Sequence, residues 1–178
     1  MNNVLKEFQG DSEMLNPVNV YLGLGSNLGD RKALITQAVE MLSDALGDYL
    51  FLSTTIETEA WGFVSPNPFL NAVVAFSTNI PPLELLDITE NVERSLGRRV
   101  KTSCGGVYSD RPIDIDILFY GDKVISLERL TVPHPRLHER SFVLLPLAEI
   151  SPELMHPILG KSILELKNEL LKNSSLDV

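Results

Sequence analysis

Residues 111–119, Arg-Pro-Ile-Asp-Ile-Asp-Ile-Leu-Phe, alternate apolar and polar side chains with a period of two. An extended strand exploits that pattern, because successive Cβ atoms point to opposite faces of a sheet. Ile113, Ile115 and Ile117 then share the face turned toward a core, and Asp114 and Asp116 share the other. Two like charges held side by side repel. Water and salt offset the repulsion on an exposed face, so an amphipathic strand with a solvated acidic side satisfies the pattern. A divalent cation offsets it better, and hard cations such as Mg²⁺ prefer carboxylate oxygens. Arg111 and the arginines upstream favour the second possibility. A carboxylate pair beside several guanidiniums suits a metal-bound polyphosphate, where metal and arginines share the anionic charge.

The local basic run stands out because the chain is acidic. Its net charge is −9, which argues against nucleic-acid or membrane-surface binding, since both need a basic face. Arg94, Arg98, Arg99, Lys101 and Arg111 nevertheless fall within eighteen residues. Cations at a helix end account for Arg98 and Arg99. They do not account for Arg111 beside the Asp pair. Cys104 is the only cysteine, so an internal disulfide and a cysteine-rich zinc site are both excluded. No apolar run approaches the ~20 residues that span a bilayer, and the N-terminus has no signal-peptide pattern. A cytoplasmic protein is expected.

At 178 residues and 44% hydrophobic content, residues 18–178 are expected to form a single domain. Residues 1–17 lack a sustained period, end at Pro17 and read as a loosely ordered extension. A first strand runs from Val18 to Leu24, leading into Gly25-Ser26-Asn27-Leu28-Gly29, and Asp30 caps a helix from Arg31 to Ala45 that Gly47 stops. Strands follow over Tyr49–Glu57 and Phe69–Ser77, separated by a long Gly-, Pro-, Ser- and Asn-rich loop, Thr58 to Pro68. Pro81 and Pro82 open a second helix that reaches Leu96. Another long loop, Arg98 to Asp110, precedes the Asp-pair strand. Long loops inside compact domains are often functional. Short strands near Val124 and Leu130, a helix over Glu139–Ile150 and a last helix over Ser162–Leu171 complete the chain. The first 120 residues thus give the βαββαβ order of a ferredoxin-like α+β sheet, with both helices on one face and further strands and helices added at the C-terminal end.

Four segments call for a joint explanation: Tyr21 to Gly29; Glu57 to Gly62, running on to Pro68-Phe69-Leu70-Asn71-Ala72; Arg111 to Gly121; and Val132-Pro133-His134-Pro135-Arg136, continuing to Glu139-Arg140-Ser141-Phe142. In this order and at these spacings they closely resemble the 6-hydroxymethyl-7,8-dihydropterin pyrophosphokinase family of the folate pathway, over roughly residues 18 to 155. The resemblance implies transfer of the β,γ-diphosphate of ATP to the pterin hydroxymethyl oxygen, with release of AMP. It places two Mg²⁺ ions on Asp114 and Asp116. Phosphate and nucleotide contacts fall to Arg98, Arg111, His134, Arg140 and Glu93. Phe69 and Phe142 sandwich the pterin, Asn71 reads its edge, the Thr58 backbone meets it, and Gly25 lets the first strand approach it. Chemically, a flat polar heteroaromatic ring calls for this combination of aromatic faces and an in-plane amide. Phe69 and Asn71, two apart on a strand, share a face.

The chain departs from the family pattern in its loops. Asp110 stands where Pro often precedes the arginine, Tyr108 stands near a usual Trp, and Glu59-Ala60-Trp61 replaces a more Pro-rich run. Both long loops are expected to close over bound substrates. Small-molecule partners and a monomer are expected. Two rivals use the same residues: another two-metal phosphotransferase with a different acceptor, which does not require Phe69, Asn71 and Phe142 to converge, and a ferredoxin-like ligand-sensing module whose acidic face is only solvated.

Overall fold

A computed structural model describes residues 16–98 and 109–174. The extension expected over residues 1–17 lies outside the described residues except for Asn16 and Pro17, and so do Arg99, Lys101, Cys104, Tyr108 and most of the loop before the Asp-pair strand. In chain order the elements are β1 (Val18–Ser26), α1 (Arg31–Leu46), β2 (Tyr49–Leu52), β3 (Ile56–Thr58), β4 (Phe69–Thr78), α2 (Pro82–Ser95), β5 (Asp114–Tyr120), β6 (Ile125–Ser126), β7 (Thr131–Val132), a 3-10 turn (Leu137–Glu139), α3 (Ser141–Ile150) and α4 (Ile163–Ser174).

Local chemistry sets most boundaries. The Asp30 carboxylate accepts the Ala33 N–H at 3.0 Å, which satisfies one of the N–H groups that the first turn of α1 leaves without a helical partner. Gly47, at φ +92°, ends the same helix with its N–H on the Ser43 carbonyl. Pro82 starts α2, where its missing N–H costs nothing. The strand expected over Tyr49–Glu57 is instead two strands. Ser53 breaks it: its N–H donates to the Val73 carbonyl while its hydroxyl accepts the Val73 N–H, so a side chain takes one rung of the ladder. The Asp-pair strand begins at Asp114, not at Arg111, because Pro112 has no N–H to offer.

The main sheet runs β2-β4-β1-β5, with every neighbouring pair antiparallel and β3 also on β4. Alternate residues feed two cores. Leu22, Leu24, Val74, Phe76, Ile113 and Ile115 pack under α1 and α2, as the period-two pattern of β5 requires. On the opposite face Val73, Leu118 and Phe119 pack against α3 and α4, which cover that side of the sheet away from the Asp pair. A β-bulge at Leu118 makes this possible. The register steps from Leu22↔Ile117 to Tyr21↔Phe119, and Leu118 and Phe119 both turn toward α3 and α4. Leu118 also receives the His134 N–H on its carbonyl at 3.0 Å, which docks the segment after β7 onto β5.

Buried His156 pins the connection between α3 and α4. Its Nδ1 accepts the N–H groups of Ile158 and Leu159, and its ring meets Phe119 edge-on. Burial, reinforced by neighbouring His138, pushes its pKa below the ordinary histidine value. The unfolded chain therefore takes up this proton before the folded one does. Stability is full above about pH 6.5 and is lost as pH falls through the lower folded value. His156→Asn, whose Oδ1 still accepts from the turn, is expected to give a shallower fall of Tm between about pH 7 and 5. Parallel Tm-against-pH curves for the two proteins would remove His156 as the source.

Candidate active site

The floor of the site is a trough across the sheet. Gly25 on β1 pairs with Asn71 on β4 and with Asp114 on β5, and Gly23 pairs with Val73 and Asp116. A Cβ at Gly25 would lie 3.2 Å from the Asn71 Oδ1, so the glycine is what lets the amide lie across β1. Asn71 is only 5% exposed, and its Nδ2 donates to the Thr58 hydroxyl at 2.9 Å, which fixes the amide plane. Phe69, two residues before it on the same face, and Phe142, in the first turn of α3, also line this pocket. Thr58, Phe69, Asn71 and Phe142 are thus brought together over Gly25, as expected.

At the β5 end the charges interlock. Asp114 is paired with both Arg98 and Arg111; the Arg111 Nη1 stands 2.9 Å from its Oδ2. Behind them Glu93, 2% exposed, accepts from the Arg98 Nη1 at 2.6 Å and from the Ile115 N–H at 2.7 Å. Burial alone would lower the Arg98 pKa, but Asp114 and Glu93 outweigh it and leave the guanidinium more firmly charged than usual. Asp116 faces the C-terminal segment: its Oδ2 is 3.7 Å from the Arg140 Nη1 and 4.0 Å from the His134 Nε2. The His134 Nδ1 accepts the Arg136 N–H, and burial holds the imidazole below its usual pKa against the pull of Asp116. Arg111, Asp114, Asp116 and Arg140 line the pocket; Glu93 and Arg98 are buried beside it, and His134 lies against Arg140 and Asp116.

Two carboxylates on one sheet face are hard oxygen donors of the kind Mg²⁺ takes. No larger group of His, Cys, Asp and Glu suited to a metal occurs among the described residues. The set therefore fits a cation that arrives with phosphate oxygens, since Mg²⁺ commonly binds through one or two carboxylates plus substrate phosphates. Two arginines also meet the Asp114 carboxylate.

Sequence reasoning gave no role to two residues that the structure places at the site. Trp61, the only tryptophan of the chain, lines the pocket from the 59–68 loop, 6.4 Å edge-on to Phe142. The guanidiniums of Arg136 and Arg140 lie 4.3 and 4.6 Å from its ring centre. A lone Trp in a Gly- and Pro-rich loop was the available signal. The other residue is Asp110, next to Arg111, which accepts hydrogen bonds from the 59–68 loop and from the turn after β1.

Comparison with known proteins adds three findings. A family model described as 7,8-dihydro-6-hydroxymethylpterin-pyrophosphokinase (HPPK) matches residues 21–152. The chain is 54% identical over 140 residues to a 2-amino-4-hydroxy-6-hydroxymethyldihydropteridine pyrophosphokinase of Porphyromonas gingivalis, covering 78% of this chain and 93% of that protein. It is 45% identical over 150 residues to the protein of that name from Aquifex aeolicus, covering 84% and 91%. A crystal structure of Plasmodium falciparum HPPK-DHPS with pterin and p-hydroxybenzoate has a similar fold, at TM-score 0.71 and 20% identity. That match covers 93% of this chain and 45% of the longer Plasmodium chain, so this chain spans less than half of it.

The two carboxylates differ in what their loss leaves behind. Asp114 is 23% exposed and neutralises two largely buried guanidiniums, while Asp116 is 34% exposed and its charged neighbours stand farther off. Asp114→Ala is expected to cost about 1–3 kcal/mol in urea unfolding and Asp116→Ala under about 1 kcal/mol. Equal losses would mean that the arginine pairing does not hold Asp114 in solution.

Proposed function

We infer that this chain, which belongs to the 7,8-dihydro-6-hydroxymethylpterin-pyrophosphokinase family, transfers the diphosphate of ATP to the hydroxymethyl group of 6-hydroxymethyl-7,8-dihydropterin in folate biosynthesis, releasing AMP. One observation carries the reading to this chain's own residues. A pair of aromatic rings with a buried amide, and a pair of carboxylates with arginines, line a single pocket. A phosphotransferase with another acceptor has no need of the first group, and a merely solvated acidic face has no need of the second.

The pterin lies between Phe69 and Phe142, with Asn71 on its edge and the backbone at Gly25 and Thr58 beneath and beside it. Stacking and a fixed amide orient a flat ring at little entropic cost. Arg98, Arg111, Arg140 and His134 receive the triphosphate, and Glu93 holds Arg98 and the start of β5 in register for it. The attacking hydroxymethyl oxygen forms a bond to the β-phosphorus while the bond from that phosphorus to the α,β-bridging oxygen breaks; AMP leaves with the electron pair, and the hydroxyl proton passes to solvent. No side-chain nucleophile is required, because positioning and charge stabilisation carry such transfers. Asp114 and Asp116 would hold two Mg²⁺ ions on the phosphates, which would offset charge there and acidify the attacking hydroxyl. Arg98 and Arg111, which pair with Asp114, would share their charge with the triphosphate, and Asp114 would hold the metal beside them.

The same reading takes the sheet as a ferredoxin-like plan, which the order β2-β4-β1-β5 and the placement of α1 and α2 on one face support. Residues 18–178 act as one domain. A monomer suffices, because one chain supplies both halves of the site. A cytoplasmic location follows from the ATP consumed.

Asp114→Ala and Asp116→Ala are each expected to abolish diphosphate transfer, and a variant with near-full activity would sink the metal assignment. Phe142→Ala and Asn71→Ala are expected to weaken pterin binding by roughly 1–3 kcal/mol each and leave binding of a Mg²⁺–ATP analogue nearly unchanged. Isothermal titration separates the two ligands. Equal losses for both would point to a packing role instead.

A further inference from the structure

Asp110 joins two loops. Its Oδ1 accepts from the Asn27 Nδ2 at 2.7 Å and from the Ser65 hydroxyl at 2.6 Å, and its Oδ2 accepts from the Asn67 Nδ2 at 2.7 Å. Ser65 and Asn67 belong to the 59–68 loop, and Asn27 to the turn after β1. The pattern has a direction. Ser65 gives its proton to Asp110 and accepts the Asn67 N–H on the same oxygen, at 3.1 Å. Asn27 spends its Nδ2 on Asp110 and its Oδ1 on the Arg111 N–H at 2.8 Å, and its own N–H reaches the Arg111 carbonyl. An ionised carboxylate is the one side chain that accepts from three donors and offers none that would clash. Bonds from Ser65 and Asn67 hold its pKa below the usual carboxylate range, so it is charged throughout the neutral region and the bonds are charge-assisted.

What the cluster holds bears on the reaction. The 59–68 loop brings Trp61 and Phe63 into the pocket, where Phe63 meets Phe69 edge-on at 6.2 Å. Arg111, the residue after Asp110, is the cation on Asp114. We propose that Asp110 is a positioning residue for the proposed diphosphate transfer. It fastens the 59–68 loop to the turn after β1, so that the aromatic wall of the pterin half is set, while Asn27 holds the Arg111 backbone by two bonds of its own. The carboxylate reaches its partners from the segment before β5, and none of the bonds in this frame involves a substrate group. The inference rests on the pyrophosphokinase reading for what the pocket holds, but the frame itself has a readout without substrates.

That readout is Trp61, whose emission reports the loop alone because the chain has no other tryptophan. Asp110→Ala in the full chain is expected to change Trp61 emission in the free protein and to raise the pterin KM about tenfold. The Kd for a Mg²⁺–ATP analogue is expected to stay within about twofold. Asp110→Asn keeps one acceptor oxygen for Asn27 and Ser65 but sets its Nδ2 against the Asn67 Nδ2, and recovers only part of both effects. Ser65→Ala takes two bonds from the cluster at an exposed loop and moves both quantities in the same direction by less. It decides the matter if the Ala variant at 110 does not fold. Wild-type emission and wild-type pterin KM in Asp110→Ala, or in Ser65→Ala where that variant must stand in, would overturn the proposal. So would equal losses of pterin and nucleotide affinity with a lowered Tm, which mark a general scaffold. Failure of the wild-type protein to transfer diphosphate would remove the pyrophosphokinase reading, and the emission comparison would still decide the positioning role.

Discussion

The pairing of Asp114 with two arginines, backed by buried Glu93, is the interaction on which the rest of the site depends. Burying several charges is costly, and an apolar replacement of similar shape is often no less stable. Stability is therefore a poor reason for it. Its use lies in what it prepares. Glu93 ties the end of α2 to the backbone at Ile115, and Arg98 spans from Glu93 to Asp114, so the second helix and the Asp-pair strand are held in one position. Carboxylates and guanidiniums that neutralise each other in the free protein are the same groups that a metal-bound triphosphate would divide between its two components. Such a site is assembled in advance, and little reorganisation remains when the substrate arrives.

The sheet serves the other half by what it leaves out. Glycines at 23 and 25 remove side chains from β1 between Asn71 and the two aspartates, so a flat ring has a flat floor. α3 then starts at the rim of that floor and delivers Phe142 from its first turn, with Arg140 as its N-cap residue. The bulge at Leu118 turns β5 from a strand that presents charge on one face to a strand buried on both. One element thus carries the chemistry at one end and closes the core at the other.

Much of this was legible in the sequence wherever a local rule had no competitor. The isoleucines and aspartates of β5 could be separated by period alone, and Asp30 and Gly47 bounded α1 through backbone chemistry that involves no distant residue. The break at Ser53 was not legible, because it depends on a hydrogen bond to Val73, twenty residues away. The second face of the sheet was hidden for a related reason. α3 is apolar nearly all round, which signals burial but not against what. At the site, the residue types announced the chemistry, and their pairing did not follow from spacing: Glu93 and Arg98 are buried beside the pocket instead of lining it. Asp110 stood out only as a departure from the family pattern; its role was hidden because its three partners lie in turns and loops, where no period predicts contacts.

The central claim is that the two halves of the pocket pass an intact diphosphate from ATP to the pterin. Phosphorus-31 NMR of the full chain with Mg²⁺, ATP and 6-hydroxymethyl-7,8-dihydropterin tests it most directly. The account predicts AMP and, on the pterin, two phosphorus resonances split by one another, growing in equal amounts. ADP with a single unsplit phosphorus on the pterin, or unchanged ATP, would contradict it.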